Sequence, residues 1–208
     1  MTFVKICGIT NLPDALAAVE AGADALGFNF YPSSPRYIAQ QNAREIVEQL
    51  PDGILKVGIF VNEKSPASLR KIVNETGMGA LQLHGDESPE YCRELRDLYV
   101  IKALAVDDSF DVRQALDYEV RAIMLDAKTP RLRGGTGQVI DWSMGREVSQ
   151  LVPRVFLAGG LSPENVQQAI ASVNPYAVDA CSALEDVPGK KNHKRLRAFI
   201  KSVRDVKP

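Results

Sequence analysis

The chain contains 208 residues, 45% of them hydrophobic and 25% charged, a composition typical of a folded globular protein and far from that of a disordered one. A formal net charge of -1 argues against nucleic-acid binding through a broadly basic surface, whereas a local anion site needs only a few donors. The first residues lack a basic region followed by a long apolar core, and no stretch approaches the roughly 20 apolar residues that span a bilayer. Neither a secretory signal nor membrane contact is therefore expected.

The cysteines and histidines bear on the redox setting and on metals. Cys7, Cys92 and Cys181 lie far apart, are odd in number and lack the spacing of a metal site. The chain has only two histidines, which argues further against zinc. We therefore expect reduced thiols, a cytoplasmic location and no bound metal.

Eight apolar runs of strand length recur along the chain, and amphipathic segments of helix length lie between them. Strands are predicted at 3–9, 23–30, 54–61, 80–85, 99–106, 122–127, 155–161 and 176–182. Helices are predicted at 12–21, 42–50, 65–76, 88–96, 109–118, 141–150, 163–173 and 192–204. Serine can cap a helix and proline suits its first turn, and this pair marks three of the helix starts, at Ser65-Pro66, Ser88-Pro89 and Ser162-Pro163.

Eight strand–helix units with short connections predict a parallel sheet covered by helices, and eight is the number that closes a (β/α)₈ TIM barrel. The competing fold is a doubly wound open sheet. Its usual G-x-G-x-x-G signature is absent after the first strand, where the sequence reads Cys7-Gly8-Ile9-Thr10. No linker or low-complexity segment interrupts the chain, so the sequence favours one barrel domain over residues 1–208.

Alternation along the strands predicts which side chains face the barrel lumen, because residues i and i+2 share a face. The expected outward set is Val4, Ile6, Leu26, Phe28, Val57, Ile59, Leu81, Leu83, Ile123 and Leu125. The expected lumen set is Lys5, Cys7, Asn29, Lys56, Gln82, His84, Lys102, Asp126 and Asp179.

The position of a lumen residue along its strand distinguishes residues that fill the barrel from residues that can react. Lys5, Lys56 and Lys102 come early in their strands, where a charge network that fills the barrel is the expected role. The remaining candidates lie near the C-terminal strand ends, where barrel enzymes place their reacting groups. These candidates are Cys7, His84, Asp126 and Asp179.

Two loops near the end of the chain are candidates for a phosphate site. Gly159-Gly160 follows strand 7, and Ser182-Ala183 follows strand 8 in a segment that can begin a short extra helix. In these barrels the loops after strands 7 and 8 bind phosphate through backbone N–H groups and a helix N-terminus. The alternative is that the glycine pair only permits a tight turn.

Two further loops are candidate parts of the site. Gly135 lies in a glycine-rich loop after strand 6, and long loops of this kind often act as lids or binding loops. Arg36 lies in the loop after strand 2, which two prolines stiffen. It can form a two-point contact with a substrate carboxylate or remain a solvated surface charge, and both readings stay open.

Taken in order, the motifs resemble those of the phosphoribosylanthranilate isomerase family. They are K-I-C-G-I-T, G-F-N-F-Y-P-S-S-P-R-Y-I, V-G-I-F-V-N, L-Q-L-H-G-D-E, L-D-A with G-G-T-G-Q, L-A-G-G-L-S-P-E-N-V and P-G-K-K-N. The resemblance covers nearly the whole chain and every strand except the fifth. It implies a (β/α)₈ barrel without a cofactor, acting in tryptophan biosynthesis on a small phosphorylated substrate.

The reaction implied by the resemblance is an Amadori rearrangement of N-(5-phosphoribosyl)anthranilate to 1-(o-carboxyphenylamino)-1-deoxyribulose 5-phosphate. Asp126 matches the general acid that opens the furanose ring, and Cys7 matches the general base that removes the C2 proton. Arg36 resembles the residue that holds the anthranilate carboxylate. The phosphate loops match Gly159, Gly160, Ser182 and Ala183, and the further pocket residues are His84, Asp179 and Gly135.

Two details extend this interpretation. Cys7 must act as a thiolate, and Lys5, two residues earlier on the same face, is expected to favour that form. Ala183 departs from the family, which usually has glycine at this position, so either the position is helical or the affinity for phosphate is lowered. The chain is expected to be a monomer or a homodimer.

The sequence leaves two alternative functions open. One is another phosphate-binding barrel enzyme: a histidine-pathway isomerase would use paired aspartates, and indole-glycerol-phosphate synthase would need a lysine acid, for which Lys56 is the candidate. Cys7 at the end of strand 1 favours the anthranilate substrate over the former. The other is a barrel that binds a phosphorylated metabolite without catalysis.

Overall fold

The structure, a computed structural model, describes residues 1–107, 109–127 and 141–206. Within these ranges eight parallel strands close a barrel in chain order, and the last strand pairs with the first. The strands are β1 (Phe3–Ile6), β2 (Ala25–Asn29), β3 (Leu55–Phe60), β4 (Ala80–Leu83), β5 (Val100–Val106), β6 (Ala122–Ala127), β7 (Val155–Leu157) and β8 (Ala177–Ala180). The predicted barrel is confirmed, and the open sheet is wrong.

Helices surround the barrel between successive strands. The described α-helices are α1 (Leu12–Glu20), α2 (Gln40–Val47), α3 (Pro66–Thr76), α4 (Pro89–Glu94), α5 (Trp142–Leu151), α6 (Val166–Val173) and α7 (His193–Arg204). After β8 come a short 3₁₀ helix at Ser182–Leu184 and an antiparallel pair, β9 (Glu185–Val187) and β10 (Lys190–Lys191).

Two of the serine caps are confirmed as predicted, since Ser65 and Ser88 accept hydrogen bonds from backbone N–H groups at the starts of α3 and α4. Ser162 also accepts from a backbone N–H, that of Glu164 at 3.2 Å, and its carbonyl accepts from the Val166 N–H at 3.1 Å. The regular α-helix nevertheless begins only at Val166, later than the predicted start at Pro163, because a turn precedes it.

The predicted helix over 109–118 is a 3₁₀ helix at Val112–Asp117. Asp111 caps it by accepting from the Arg113 N–H at 2.9 Å. Within this helix only Ala115 is buried, so the segment lacks the apolar stripe that stabilises a longer α-helix by packing.

Two apolar clusters occupy the two faces of the barrel wall. The outer cluster lies between the strands and the helices and includes Val4, Leu26 and Leu81. The inner cluster fills the lumen with side chains of alternating strand positions. Its buried members are Ala25, Val57, Ala80, Ile101, Ala103, Ala122, Met124, Phe156, Ala158 and Ala177.

The predicted alternation is wrong for β3. Val57 belongs to the inner cluster and Ile59 lines the lumen cavity, so Lys56 lies between them on the opposite face. Lys56 is in register with the outward-facing Leu26, and its Nζ donates to the Pro51 carbonyl at 3.3 Å. Strand β3 is apolar on both faces, because in a covered barrel both faces are buried and polarity does not mark the lumen side.

The prediction for β5 is wrong for the same reason. Ile101 and Ala103 face the lumen, so Lys102 points outward, in register with Leu83 of the outer cluster. Its Nζ is 2.6 Å from Glu87 Oε2 and 2.8 Å from the Gly85 carbonyl oxygen. This ion pair ties β5 to the loop that follows β4.

Of the three lysines predicted to face the lumen, Lys5 is the one that does. It is in register with Asp179 on the adjacent strand, and Nζ is 2.8 Å from Asp179 Oδ1. The expected charge network inside the barrel is therefore confirmed for Lys5 and wrong for Lys56 and Lys102.

No helix within the described residues is long and apolar enough to cross a membrane.

We expect Lys102→Met to lower the free energy of unfolding by about 3–5 kcal/mol, because it leaves the buried carboxylate of Glu87 without its cation. The side chains of Lys102 and Glu87 are each only 2% exposed. The measurement is urea-induced unfolding followed by circular dichroism.

The matched control is Lys71→Met, which removes an exposed lysine that pairs with Glu75 at 3.8 Å. Its effect should stay within about 0.5 kcal/mol. Equal losses in the two variants would contradict a structural role for the Lys102–Glu87 pair.

Candidate active site

A cavity opens at the C-terminal ends of the barrel strands, as the sequence predicts. Most of the candidate residues line it together: Cys7, Arg36, His84, Asp126, Gly159, Gly160, Asp179 and Ser182. Ala183 is next to this cavity but is not part of its lining. Gly135 lies outside the described residues.

Cys7 reaches the cavity from the end of β1. Its N–H donates to the Ala180 carbonyl at 3.0 Å, so the pairing of β1 with β8 continues to this residue. Gly27 provides the space for the sulfur, since a Cβ at that position would lie 2.9 Å from Cys7 Sγ. The reactive side chain is thus fixed by the barrel wall rather than by a flexible loop.

The electrostatic surroundings hold the pKa of the Cys7 thiol well below its usual value. The largest cause is a hydrogen bond with the Cys181 side chain, which outweighs the opposing effect of burial. Lys5, Lys191 and His84 act in the same direction. Lys5 lowers the pKa of Cys7, as predicted. Cys181 lowers it more, although it was not predicted as a site residue.

Cys181 behaves as the protonated partner of this pair. The hydrogen bond with Cys7 and burial raise the pKa of Cys181 well above its usual value. Its sulfur donates to Glu185 Oε1 at 3.8 Å and accepts from Lys191 Nζ at 3.7 Å. Of the two sulfurs, Cys7 therefore favours the thiolate and Cys181 keeps its proton.

Lys5 and Asp179 form a buried pair beneath Cys7. Burial raises the pKa of Asp179 to about 7, and Cys7 and Asp126 add to this effect against the opposing Lys5. For Lys5, burial favours the neutral amine, but Asp179 and Cys7 outweigh it and raise the pKa above its ordinary value. The lysine charge is therefore shared between a carboxylate and the thiolate of Cys7.

His84 links two other lumen residues. Its Nδ1 is 2.8 Å from the Gln82 amide nitrogen, and its Nε2 is 3.2 Å from Asp126 Oδ2. Because the amide donates to Nδ1, Nε2 carries the ring proton and donates to the carboxylate of Asp126. The second oxygen of Asp126 accepts from the Ala127 N–H at 3.0 Å.

Arg36 is held at the rim by Glu185. The guanidinium donates to both carboxylate oxygens, with distances of 2.7–3.0 Å from Nε and Nη2. Lys191, whose side chain is 0% exposed, donates to the same carboxylate at 2.8 Å. One acid thus joins two cations, and the reading of Arg36 as a solvated surface charge is wrong, since its side chain is only 12% exposed.

Glu185 and Lys191 were not predicted as site residues. Both lie after β8, in the segment folded back as β9 and β10. The Lys191 N–H is anchored by Asp14 of α1 at 2.8 Å. The P-G-K-K-N motif contains Lys191 and was the available signal, but the contact of Glu185 with Arg36, 149 residues away, has no local signal in the sequence.

Gly8 makes the meeting of these side chains possible. Its φ is +76°, and a Cβ there would lie 2.7 Å from Arg36 Cδ and 2.8 Å from Cys181 Sγ. Any other residue would push these two side chains away from the cavity.

The two predicted phosphate loops face the same end of the cavity. Gly159 and Gly160 have φ values of +83° and +63°, so the tight turn after β7 does require glycine. Within the described ranges, the backbone N–H groups of Gly159, Gly160, Ser182 and Ala183 donate to no other protein group. Ala183 lies in the 3₁₀ helix, as the helical alternative predicts, and no positive φ is needed there.

Comparison with known proteins agrees with this arrangement. The family model of N-(5'phosphoribosyl)anthranilate (PRA) isomerase matches residues 4–202. The N-(5'-phosphoribosyl)anthranilate isomerase of Thermotoga maritima is 46% identical over 207 residues, covering 99% of this chain and 100% of that protein. The isomerase of Desulforudis audaxviator is 48% identical over 208 residues, with the same coverage.

Solved structures give the same result. The crystal structure of the Thermotoga maritima isomerase superposes with a TM-score of 0.92 at 45% identity, covering 98% of this chain and 99% of that one. A crystal structure of phosphoribosyl anthranilate isomerase in complex with reduced 1-(o-carboxyphenylamino)-1-deoxyribulose 5-phosphate superposes with a TM-score of 0.88 at 43% identity, with the same coverage. Since the match runs from β1 into α7 and takes in every described residue of the cavity, this chain belongs to the N-(5'-phosphoribosyl)anthranilate isomerase family.

Proposed function

We propose that this protein catalyses the Amadori rearrangement of N-(5-phosphoribosyl)anthranilate to 1-(o-carboxyphenylamino)-1-deoxyribulose 5-phosphate in tryptophan biosynthesis. The observation that carries the proposal is that one cavity contains Cys7, whose lowered pKa favours the thiolate, and Asp126, whose carboxyl group is held by His84. The same cavity contains Arg36 and two loops whose backbone N–H groups donate to no other described protein group. A base, an acid, a carboxylate contact and a phosphate contact are what this substrate and reaction require.

Asp126 is the general acid in this proposal. It protonates the furanose ring oxygen, and the ring opens to a Schiff base. His84 holds the carboxyl group in place through Nε2, which lies 3.2 Å from Asp126 Oδ2. The backbone N–H of Ala127 fixes the other oxygen, so the acid has a defined direction.

Cys7 is the general base. Its thiolate removes the C2 proton of the Schiff base, and the enolamine that forms tautomerises to the ketone. The hydrogen bond from Cys181 and the charge of Lys5 keep this sulfur ionised. Neither the acid nor the base step needs a metal or a cofactor, because the substrate's own Schiff base accepts the electrons.

Two sets of binding groups in the cavity orient the substrate. The N–H groups of Gly159, Gly160, Ser182 and Ala183 receive the phosphate, and Arg36 receives the anthranilate carboxylate. Glu185 occupies the Nε side of the guanidinium, which leaves Nη1 for the substrate. Because the substrate is bound through both its phosphate and its carboxylate, its sugar is held between Asp126 and Cys7. Asp179 and Gly135 complete the pocket in this proposal.

Cys7 at the end of β1 favours this reaction over a histidine-pathway isomerase, whose paired aspartates would place an acid there. A lysine acid as in indole-glycerol-phosphate synthase has no support, since Lys56 lies outside the lumen. A barrel that only binds would not need a thiol with a lowered pKa beside the cavity.

We further propose that residues 1–208 act as one cytoplasmic domain without a nucleic-acid partner, as a monomer or a homodimer. The pairing of β1 with β8 supports one domain, since it joins the two ends of the chain. A relative from Thermotoga maritima is described as dimeric, in a structure of monomers generated from it.

Cys7→Ser and Asp126→Asn should each lower kcat by about 10²–10⁴-fold, because each removes a positioned proton-transfer group. The measurement is the loss of substrate fluorescence on turnover, with Cys92→Ser as the matched control. Cys92 is buried away from the cavity and should be replaced without loss. The wild-type gene, and neither variant, should rescue a tryptophan auxotroph that lacks this isomerase. Full activity in both variants would refute the mechanism.

The dependence of kcat/KM on pH should report the Cys7 thiolate. Activity is lost as the pH falls through the pKa of Cys7, and this limb lies below the usual thiol range of about 8.5 because the pKa is lowered. Cys181→Ala should shift the limb to higher pH, since it removes the largest stabilising contact. Lys5→Met should shift it less, because Asp179 can take up a proton when the lysine is lost.

The rate of iodoacetamide alkylation at Cys7, followed by peptide mapping, gives the same pKa without turnover. Unchanged pH profiles in both variants would show that Cys7 is not held as a thiolate by these neighbours.

Glu185→Gln should raise KM by about tenfold with little change in kcat, since Arg36 loses its two-point anchor but the acid and base remain. Glu48→Gln is the control, because Glu48 forms an exposed pair with Arg44 at 2.7 Å and neither residue lines the cavity. A loss confined to kcat would show that Glu185 does not act through substrate binding.

A further inference from the structure

Two thiols lie next to each other at the mouth of the barrel. Ile6 of β1 is in register with Ala180 of β8, and the Cys7 N–H donates to the Ala180 carbonyl. The following residues, Cys7 and Cys181, therefore leave the two strands side by side. Both line the cavity and both are partly exposed.

The spacing of these strands suits a covalent bond between the sulfurs. Neighbouring strands lie about 4.7–4.9 Å apart, and a disulfide requires a Cα separation of about 4.4–6.8 Å. The two side chains point to the same face of the sheet, since both line the cavity. Joining them needs side-chain rotation and no rearrangement of the barrel wall.

The two sulfurs differ in reactivity. Cys181 and the positive charges around Cys7 lower the pKa of Cys7 and favour its thiolate, which is the form that attacks peroxides, whereas Cys181 keeps its proton. Cys181 holds its proton chiefly because Cys7 is negative. Oxidation of Cys7 removes that charge, and Lys191 Nζ, 3.7 Å from Cys181 Sγ, then favours the second thiolate.

We propose that Cys7 and Cys181 form a reversible disulfide when the protein meets a hydroperoxide. The Cys7 thiolate attacks one peroxide oxygen, the O–O bond breaks, and hydroxide or alkoxide leaves to give a sulfenic acid. The Cys181 sulfur then attacks Cys7 Sγ, and the S–S bond forms as the S–O bond breaks. The departing hydroxide takes the Cys181 proton as water, so the peroxide accepts two electrons from the two thiols.

The third cysteine cannot take part. Cys92 is 0% exposed and lies in α4, outside the cavity lining. Burial raises the pKa of Cys92 to about 11, so it remains a thiol at neutral pH.

The consequence for activity rests on the proposed function, because the disulfide consumes the sulfur that acts as the base. It also protects that sulfur: a sulfenic acid without a neighbouring thiol oxidises further to the sulfinic acid, which dithiothreitol does not reduce. Cys181 thus converts an irreversible loss into a reversible one.

The experiment exposes the full chain to excess hydrogen peroxide, blocks free thiols under denaturing conditions and maps the peptides by mass spectrometry. Wild type and Cys92→Ser should both yield a peptide pair linked through Cys7 and Cys181, lighter by two hydrogen atoms than the separate peptides. Activity should disappear with the formation of this pair and return after dithiothreitol.

Cys181→Ser is the decisive variant, and its rate is compared with its own rate before treatment. It should accumulate the sulfinic acid at Cys7 and stay inactive after dithiothreitol. The proposal is overturned if wild type yields no linked pair, or if Cys181→Ser recovers as fully as wild type. The mass readout needs no turnover, so a linked pair in a protein without isomerase activity would overturn the proposed function and leave this inference standing.

Discussion

The site depends on the pairing of the first strand with the last. Hydrogen bonds between β1 and β8 close the barrel, and they also bring Lys5 beside Asp179 and Cys7 beside Cys181. These partners are more than 170 positions apart, as the 174-residue separation of Lys5 and Asp179 shows. Closure of the barrel and assembly of the proposed base are therefore the same event. A slip of one residue in the register of β1 would turn Lys5 and Cys7 out of the lumen, away from Asp179 and Cys181.

Charge balance is the second constraint, because a buried ion is costly without a partner. Lys5 is matched by Asp179 and the Cys7 thiolate, and Glu185 is matched by Arg36 and Lys191. The second group keeps one positive charge in excess at the rim. That excess suits a substrate that carries both a carboxylate and a phosphate, and it explains how a chain of net charge -1 can still attract an anion.

The strand count, the alternation of strands with helices and the end-of-strand position of the reactive groups could all be predicted from the sequence. Alternation gave the correct face where a polar residue lies near the strand end, as for Cys7, His84 and Asp126. It failed for Lys56 and Lys102, because β3 and β5 are apolar on both faces. A lysine can lie on the outer face when a distant group such as Glu87 neutralises it.

Contacts between residues on different strands and loops at the barrel mouth could not be predicted from the sequence, for a related reason. Nothing local in the chain joins Arg36 to Glu185, since the two are 149 residues apart. Cys181 was visible only as an unpaired cysteine, and its meaning depends on the register of β8 against β1. What the sequence lacks is therefore the set of partners that the barrel geometry brings together.

The same geometry links catalytic competence to chemical vulnerability. As the proposed base, Cys7 must be a thiolate, and the groups that stabilise the thiolate also leave a nucleophile partly exposed at the cavity mouth. Removing Cys181 and the cations would protect the sulfur from oxidants but would return it to the neutral thiol, which cannot act as the base. In this proposal a second thiol resolves the conflict: while Cys7 is reduced, Cys181 lowers the pKa of Cys7, and once Cys7 is oxidised the sulfur of Cys181 is in position on the neighbouring strand to displace the oxygen. Gly8 leaves room for Cys181, because a Cβ there would lie 2.8 Å from Cys181 Sγ.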